Sequence, residues 1–272
     1  MLLCAKFKNA EIEDSLNEYG FVHLPGFLSG NEVHEFYALF QSLHTNNSAG
    51  QNMWNSLYDL PNGKGVAASE QLKEKLAGKF SGWLHDFKMP VVTYMVKNPT
   101  AESNCELHRD NSAFDETRFE YRNGWIPLVD INEKNGALYV LPKSNHVFDY
   151  CLPMATEWQY KSMTPELMKH VHVVYAKAGD LVVYKDKMLH GSFHNHTTQP
   201  RPVLHFGLLH PEASTCYYRR NQQENRVDVF SVQPDFFFEK DFEQALAGRK
   251  PEQSFPYNPP ELRIEDVLEK IK

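Results

Sequence analysis

The chain has 272 residues, 28 of them basic and 35 acidic, for a formal net charge of −7. That balance, with no run of lysine or arginine longer than two, argues against nucleic acid as an obligate partner. No stretch approaches the roughly 18 apolar residues of a spanning helix, and residues 1–5 are too few for a signal-peptide apolar region, so no membrane association is expected. Cys4, Cys105, Cys151 and Cys216 lie far apart with no CxxC spacing, which fits free thiols and a cytoplasmic location better than disulfides or zinc.

Apolar positions at Ile12, Leu16 and Tyr19 predict a helix over 11–19 that Gly20 stops, followed by a short strand over 21–24. Ser29-Gly30-Asn31-Glu32 fits a capping box. Val33, Phe36, Tyr37, Phe40 and Leu43 then continue at helical spacing. A Gly/Asn/Ser-rich loop is expected over about 45–67, interrupted by a strand over 52–60. Leu72, Leu76, Phe80, Trp83 and Phe87 mark another helix that ends before Pro90. From Val91 the hydrophobic period changes to two. Strands are predicted over 91–97, 125–131, 137–141, 171–176, 181–185 and 202–210, each bounded by Gly, Pro or Asn turns. After 211 the chain turns polar and aromatic. A packed loop is expected over 234–238, with Phe236-Phe237-Phe238 as packing, and a closing helix over 262–271.

Many short strands without a βαβ repeat predict a mainly β fold with flanking helices: a double-stranded β-helix, or cupin-like jelly roll. No linker divides the chain. We therefore expect a single domain over 1–272, with a helical part to about 90, a jelly-roll core over about 91–215 and a C-terminal extension.

The chemistry-bearing pattern is His108-x-Asp110, then His190, then Arg201. Side chains two apart on an extended strand point the same way, so His108 and Asp110 can share a site that His190 completes from another strand. Two imidazoles and one carboxylate hold a non-haem Fe(II) on one face and leave three positions open, enough for a bidentate 2-oxo acid and O2. The planar fork of Arg201 suits a carboxylate, and Ser192 can donate a hydroxyl hydrogen bond to the same group. The bland alternatives are a chance His-x-Asp and a solvated arginine. Zinc at His190, His194 and His196 is disfavoured for want of helical context, and His205 reads as a hydrogen-bonded core histidine.

These residues sit in a longer pattern. Residues 19–29, Met95-Val96-Lys97-Asn98-Pro99, Asn135-Gly136-Ala137-Leu138, Pro142-Lys143-Ser144-Asn145-His146, Gly179-Asp180-Leu181, His190-Gly191-Ser192 and Arg201-Pro202 together resemble the phytanoyl-CoA dioxygenase family of Fe(II)/2-oxoglutarate oxygenases. The resemblance implies iron ligands at His108, Asp110 and His190. It also implies 2-oxoglutarate contacts at Arg201 and Ser192, with Trp125 lining the site and Thr93 touching the co-substrate. The implied reaction decarboxylates 2-oxoglutarate to succinate and hydroxylates an unactivated C–H bond of a small molecule, or desaturates or cyclises it, with ascorbate as a reductant. Halogenating relatives have a small apolar residue in place of Asp110, so halogenation is not implied. Where the family usually has glycine this chain has Lys143, which bears on turn geometry.

Two other function classes stay open at this level. One is a different cupin-like metalloenzyme, and the other a non-catalytic small-molecule-binding jelly roll. Substrate contacts are expected within 111–122 and 52–60, and Arg118, Arg122, Arg219 and Arg220 are candidates to meet an acidic substrate. The substrate itself and the oligomeric state are not legible.

Overall fold

The computed structural model describes residues 2–44, 51–61, 63–100, 102–239 and 241–272. The part of the expected polar loop at 45–50, position 62 and the side chain of Phe238 lie outside that description.

Local signals set the N-terminal third. Helix α1 (Ala10–Tyr19) is capped by Asn9, whose side chain accepts from the amides of Glu11 and Ile12, and Gly20 closes it at φ 81°. Strand β1 (Phe21–Leu24) follows. Helix α2 (Gly30–Leu43) carries the predicted capping box between Ser29 and Glu32. The strand expected over 52–60 is only β2 (Met53–Asn55), because the Asn55 side chain caps a helical turn, α3 (Ser56–Asp59). Helix α4 (Lys64–Phe80) begins inside the expected loop and stops at Phe80. Trp83 and Phe87 therefore pack against the core from irregular chain.

The remainder is strand-rich. In chain order the strands are β3 (Val92–Lys97), β4 (Cys105–His108), β5 (Arg122–Pro127), β6 (Leu138–Val140), β7 (His172–Val174), β8 (Leu181–Lys185), β9 (His190–Ser192) and β10 (Arg201–Leu208). Then come β11 (Thr215–Asn221), β12 (Arg226–Val232) and β13 (Gln253–Pro256), before a closing helix, Ile264–Ile271. The strands paired in order β1-β8-β5-β10-β3-β2 form one sheet and β4-β9-β6-β7 a second, with every named pair antiparallel. The two sheets share a core in which Trp125, Val182 and Val203 of the first meet Leu138, Val140 and Val174 of the second. This is the expected mainly β jelly roll with flanking helices. The third sheet, β11-β12-β13, occupies a region where the sequence predicted no strands. The sequence also missed β4.

Alternation decides what faces the site. On β3, β5 and β10, the residues Val92, Tyr94, Val96, Ile126, Leu204, Phe206 and Leu208 pack with Phe36 and Phe40 of α2 and Leu72, Leu76 and Phe80 of α4. The intervening residues must then point between the sheets. Cross-strand register lines them up in rows: Lys97 beside Arg201, Met95–Val203–Pro127, and Thr93–His205–Trp125. Among the described residues no helix is long and apolar enough to cross a membrane, and all four cysteines are free.

The turn after β6 explains why glycine is favoured where Lys143 stands. Lys143 adopts φ 63°, a left-handed conformation that costs a side-chain-bearing residue about 1 kcal/mol. Among the described residues its ammonium makes an exposed hydrogen bond to the Lys272 carbonyl, at 2.7 Å. We expect Lys143→Gly to stabilise the fold by about 0.5–1 kcal/mol, read as a higher denaturant midpoint. A lower midpoint would mean that the surface contact outweighs the backbone strain.

Candidate metal and co-substrate site

The site begins at the β4–β9 pair, where His108 lies directly opposite His190. Asp110, two residues beyond His108, turns its carboxylate to the same point. One ligand atom from each of the three lies within 4.8 Å of the others. The tautomers follow from the outer partners. His108 Nδ1 is 2.8 Å from the Glu106 carbonyl, and His190 Nδ1 is 3.0 Å from the Met188 carbonyl. A carbonyl only accepts, so each Nδ1 carries the proton and each Nε2 presents a bare lone pair. Both Nε2 atoms face Asp110 Oδ1, at 3.7 and 3.8 Å, too far for a hydrogen bond. The other oxygen, Oδ2, is held by Asn123 Nδ2 at 2.8 Å. Three acceptors thus converge with no proton between them, an arrangement that repels itself without a cation. The donor set, two imidazoles and one carboxylate on a single face, fits Fe(II).

Burial and neighbouring charges act differently on the three residues. Burial holds His190 down to about 4 against the opposing pull of Asp110, so its lone pair stays free. Burial would raise Asp110, and what keeps the carboxylate below its ordinary value is positive charge at His190, His108 and His205, with the Asn123 hydrogen bond; with neutral imidazoles a bound cation would have to supply that charge. His108 is pushed down by burial and pulled up, to about 9 on balance, chiefly by an ionised Cys105 and then by Asp110. Cys105 Sγ is 3.7 Å from His108 Nδ1, whose proton is already committed to the shorter bond with Glu106. A metal held at Nε2 would require His108 to be neutral there.

Behind the ligands lies a cavity of about 100 Å³ lined by Lys97, Trp125, Ser192 and Arg201 together with His108, Asp110 and His190. The structure thus brings together six of the seven residues singled out from the sequence. Arg201 is buried, its Nε has no partner, and its guanidinium lies 5.6 Å from the Trp125 ring centroid. Thr93 is the exception. It is absent from this cavity and pairs with His205, four positions along β3 from Lys97. Its hydroxyl is 2.6 Å from Asn55 Oδ1 and 2.9 Å from Ser56 Oγ, so it braces the start of α3.

Among the residues that sequence reasoning missed, Lys97 lies deepest in the cavity wall. It is fully buried, with Nζ 3.1 Å from the Ser192 carbonyl and 2.5 Å from the Phe193 carbonyl. Burial and then Arg201 push it down to about 7. Gly136 makes room for it: at φ 83°, a Cβ there would lie 2.5 Å from Lys97 Cδ. Strand alternation alone put Lys97 on the inward face of β3, and a lysine at that parity was the available signal. Asn123, inward on β5, went unnoticed for the same reason. His205 lies 3.4 Å from the Tyr184 hydroxyl through Nε2 and borders the cavity. Among the described residues, His194 and His196 join no metal-ligating group.

The arginines proposed for an acidic substrate are engaged elsewhere. Arg122 is buried against Glu13, Arg219 pairs with Asp228, Arg220 bonds Asn225, and Arg118 lies over Phe119.

Comparison with known proteins agrees with the fold. A family profile, Phytanoyl-CoA dioxygenase (PhyH), matches residues 16–203. No curated protein sequence matches significantly. Among solved structures, the non-heme alpha ketoglutarate dependent carbocyclase SnoK from nogalamycin biosynthesis superposes with a TM-score of 0.57 at 17% identity, covering 97% of this chain and 98% of its own. The epimerase SnoN, solved with Fe3+, alpha ketoglutarate and nogalamycin RO, gives 0.54 at 20% identity, over 76% of this chain and 86% of its own. HygX from Streptomyces hygroscopicus, solved with nickel, 2-oxoglutarate and hygromycin B, gives 0.56 at 16% identity, over 75% and 88%. At these identities the likeness is one of fold.

Proposed function

The chain belongs to the phytanoyl-CoA dioxygenase family, and from that premise we propose that it is a non-haem Fe(II)- and 2-oxoglutarate-dependent oxygenase that hydroxylates an unactivated C–H bond of a small molecule. The observation that carries this reading is the convergence of two Nε2 atoms and Asp110 Oδ1 beside a cavity lined by the buried Lys97 and Arg201. His108, Asp110 and His190 would hold the iron. Arg201 and Lys97 would receive the distal carboxylate of 2-oxoglutarate, with Ser192 beside them and Trp125 under the guanidinium. The bound metal and 2-oxo acid would supply oxidative decarboxylation to succinate and CO2, with O2 as the oxidant.

The protein's own part is positional. The Glu106 and Met188 carbonyls fix both imidazoles as Nε2 donors. Asn123 leaves one Asp110 oxygen for the metal. The intact carboxylate at 110 favours oxygen transfer over halogenation, since it fills the position that a halide needs.

The test is succinate release from 2-oxoglutarate under air with Fe(II) and ascorbate. Succinate above the metal-free control, increased by a substrate, is expected; none in any condition would overturn the oxygenase reading. Solved fold neighbours include an epimerase and a carbocyclase, so product mass decides the finer point. Hydroxylation adds an oxygen atom, epimerisation leaves the mass unchanged, and desaturation or oxidative ring closure removes two hydrogens.

A further inference from the structure

A second cavity, of about 360 Å³, meets the co-substrate chamber at Met95, Asp110 and His205. Its size is at the small end for a binding pocket, roughly 300–1,000 Å³. Most of its wall is apolar, with Tyr58, Phe114, Tyr121 and Phe237 contributing rings. Phe114 and Tyr121 stack at 5.3 Å between centroids. No lysine or arginine is among the described residues that line it. A phosphate or a coenzyme A head group would find no counter-charge inside.

One group in this wall has no internal explanation. Asp186 shares strand parity with Val182 and Tyr184 of β8, on the face that looks between the sheets. It is 94% buried (6% exposed), lines the cavity, and its Oδ2 has no hydrogen-bond partner. Its neighbours in sequence are lysines, yet both turn away. Lys185 is 2.8 Å from Glu120, and Lys187 is ion-paired with Asp149 and lies 3.7 Å from Glu116. Arg109 is taken up by the Phe148 carbonyl at 2.8 Å and by Glu116 at 3.4 Å. A buried carboxyl oxygen without a partner costs stability, and such a group tends to be kept where a ligand completes it. Burial, reinforced by Glu116 and Glu120, holds the Asp186 carboxyl well above the ordinary carboxylate range, against Lys187 and Arg109. That shift favours the neutral carboxyl, whose O–H is a hydrogen-bond donor, in a residue that lines the chamber.

We infer that this chamber receives the primary substrate, an uncharged and largely apolar molecule bearing a carbonyl, hydroxyl or ether oxygen, and that Asp186 recognises that oxygen by donating a hydrogen bond. This rests on the oxygenase reading, which makes the adjoining ligands the reaction centre. A substrate gripped at one end by Asp186 and enclosed by Phe114, Tyr121 and Phe237 would present its other end to the Asp110 side of the metal site. Asp186 would be a specificity-determining residue, selecting for an oxygen acceptor and against ions of either sign.

The experiment uses the full chain with Mn(II) and 2-oxoglutarate, and calorimetry with three probes of one shape: 2-acetylnaphthalene (neutral, one carbonyl), 2-naphthoate (anion) and 2-naphthylmethylammonium (cation). The ketone is expected to bind at least about tenfold more tightly than either ion. Asp186→Ala should weaken the ketone by about tenfold, whereas Asp186→Asn, which keeps an N–H donor, should stay within about threefold. Tighter binding of the ammonium or the carboxylate, no binding of any probe, or an unchanged ketone affinity in Asp186→Ala would overturn the inference. Titrating Mn(II) and 2-oxoglutarate first into each sample keeps the two readings apart. Failure there overturns the oxygenase assignment, while normal loading with failed probe discrimination overturns only the role of Asp186. A melting temperature for Asp186→Ala at or above that of the parent shows that the variant has folded.

Discussion

Asp110→Ala is expected to cost more metal affinity than any other single substitution at the site. It removes the only anionic ligand and leaves two neutral imidazoles facing a divalent cation. Loss of an outer-shell partner alone typically costs about 10–100-fold. Asn123→Ala, which frees Asp110 Oδ2 from its 2.8 Å bond, should fall in that range, and Asp110→Ala beyond it. Asp110→Asn should not rescue binding, because it keeps the shape and loses the charge. Mn(II) titration followed by paramagnetic resonance reads all three without depending on turnover. If Asp110→Ala binds Mn(II) as tightly as the parent, the proposed centre is wrong. If it loses binding while Asn123→Ala is unchanged, the centre stands and the role given to Asn123 falls. The fold should tolerate these changes: both residues border cavities, and removing one of three converging acceptors relieves repulsion in the metal-free protein.

How far the sequence could be read depended on whether a residue's role is local or set by register. The capping box at Ser29 and the stop at Gly20 are local, and they were legible; the Asn9 cap is equally local but was not noticed. The pair His108-x-Asp110 was legible because two ligands on one extended segment share a face whatever surrounds them. The strand carrying His108 was not, since Cys105–His108 sits in polar chain and is defined by its pairing with His190–Ser192. β11 to β13 were hidden for a related reason. Tyr217-Tyr218-Arg219-Arg220 breaks simple alternation, and its burial comes from packing among Phe230, Phe236 and Phe255. Thr93 was expected at the co-substrate. Its strand parity is right, but it lies four register positions from Lys97, roughly 13 Å at the rise of a strand. Lys97, Asn123 and Asp186 acquire meaning only when β3, β5 and β8 are laid side by side, which one-dimensional periodicity cannot do.

Lys97 and Arg201 should together account for most of the affinity for 2-oxoglutarate, and their variants separate recognition from folding. The two residues are opposite one another across β3 and β10, both buried, with no carboxylate within ion-pairing distance of either among the described residues. Holding such charges out of water costs several kcal/mol per ion, which a carboxylate arriving between them would offset. Truncating one partner of a buried charge pair costs about 2–5 kcal/mol. Arg201→Ala should therefore raise the dissociation constant of 2-oxoglutarate by roughly 30-fold to several thousand-fold. Arg201→Lys should rescue it only in part, because a point charge cannot replace the bidentate fork. Lys97→Met is expected to cost about tenfold and to change the melting temperature of the unliganded protein little, since removing a buried amine offsets the loss of its bonds to the Ser192 and Phe193 carbonyls. Proton uptake provides a second, independent signature. Burial and Arg201 push Lys97 down to about 7, so at pH 8 it is mostly neutral in the free protein. A bound carboxylate favours the charged form and raises that value again, so 2-oxoglutarate should bring up to one proton with it. Calorimetry in buffers of different ionisation enthalpy would measure that proton at pH 8. It should vanish in Lys97→Met and shrink in the parent protein below pH 7, where Lys97 is already charged. Equal proton uptake in Lys97→Met and parent would place the distal carboxylate away from Lys97 and leave Arg201 as its sole cation.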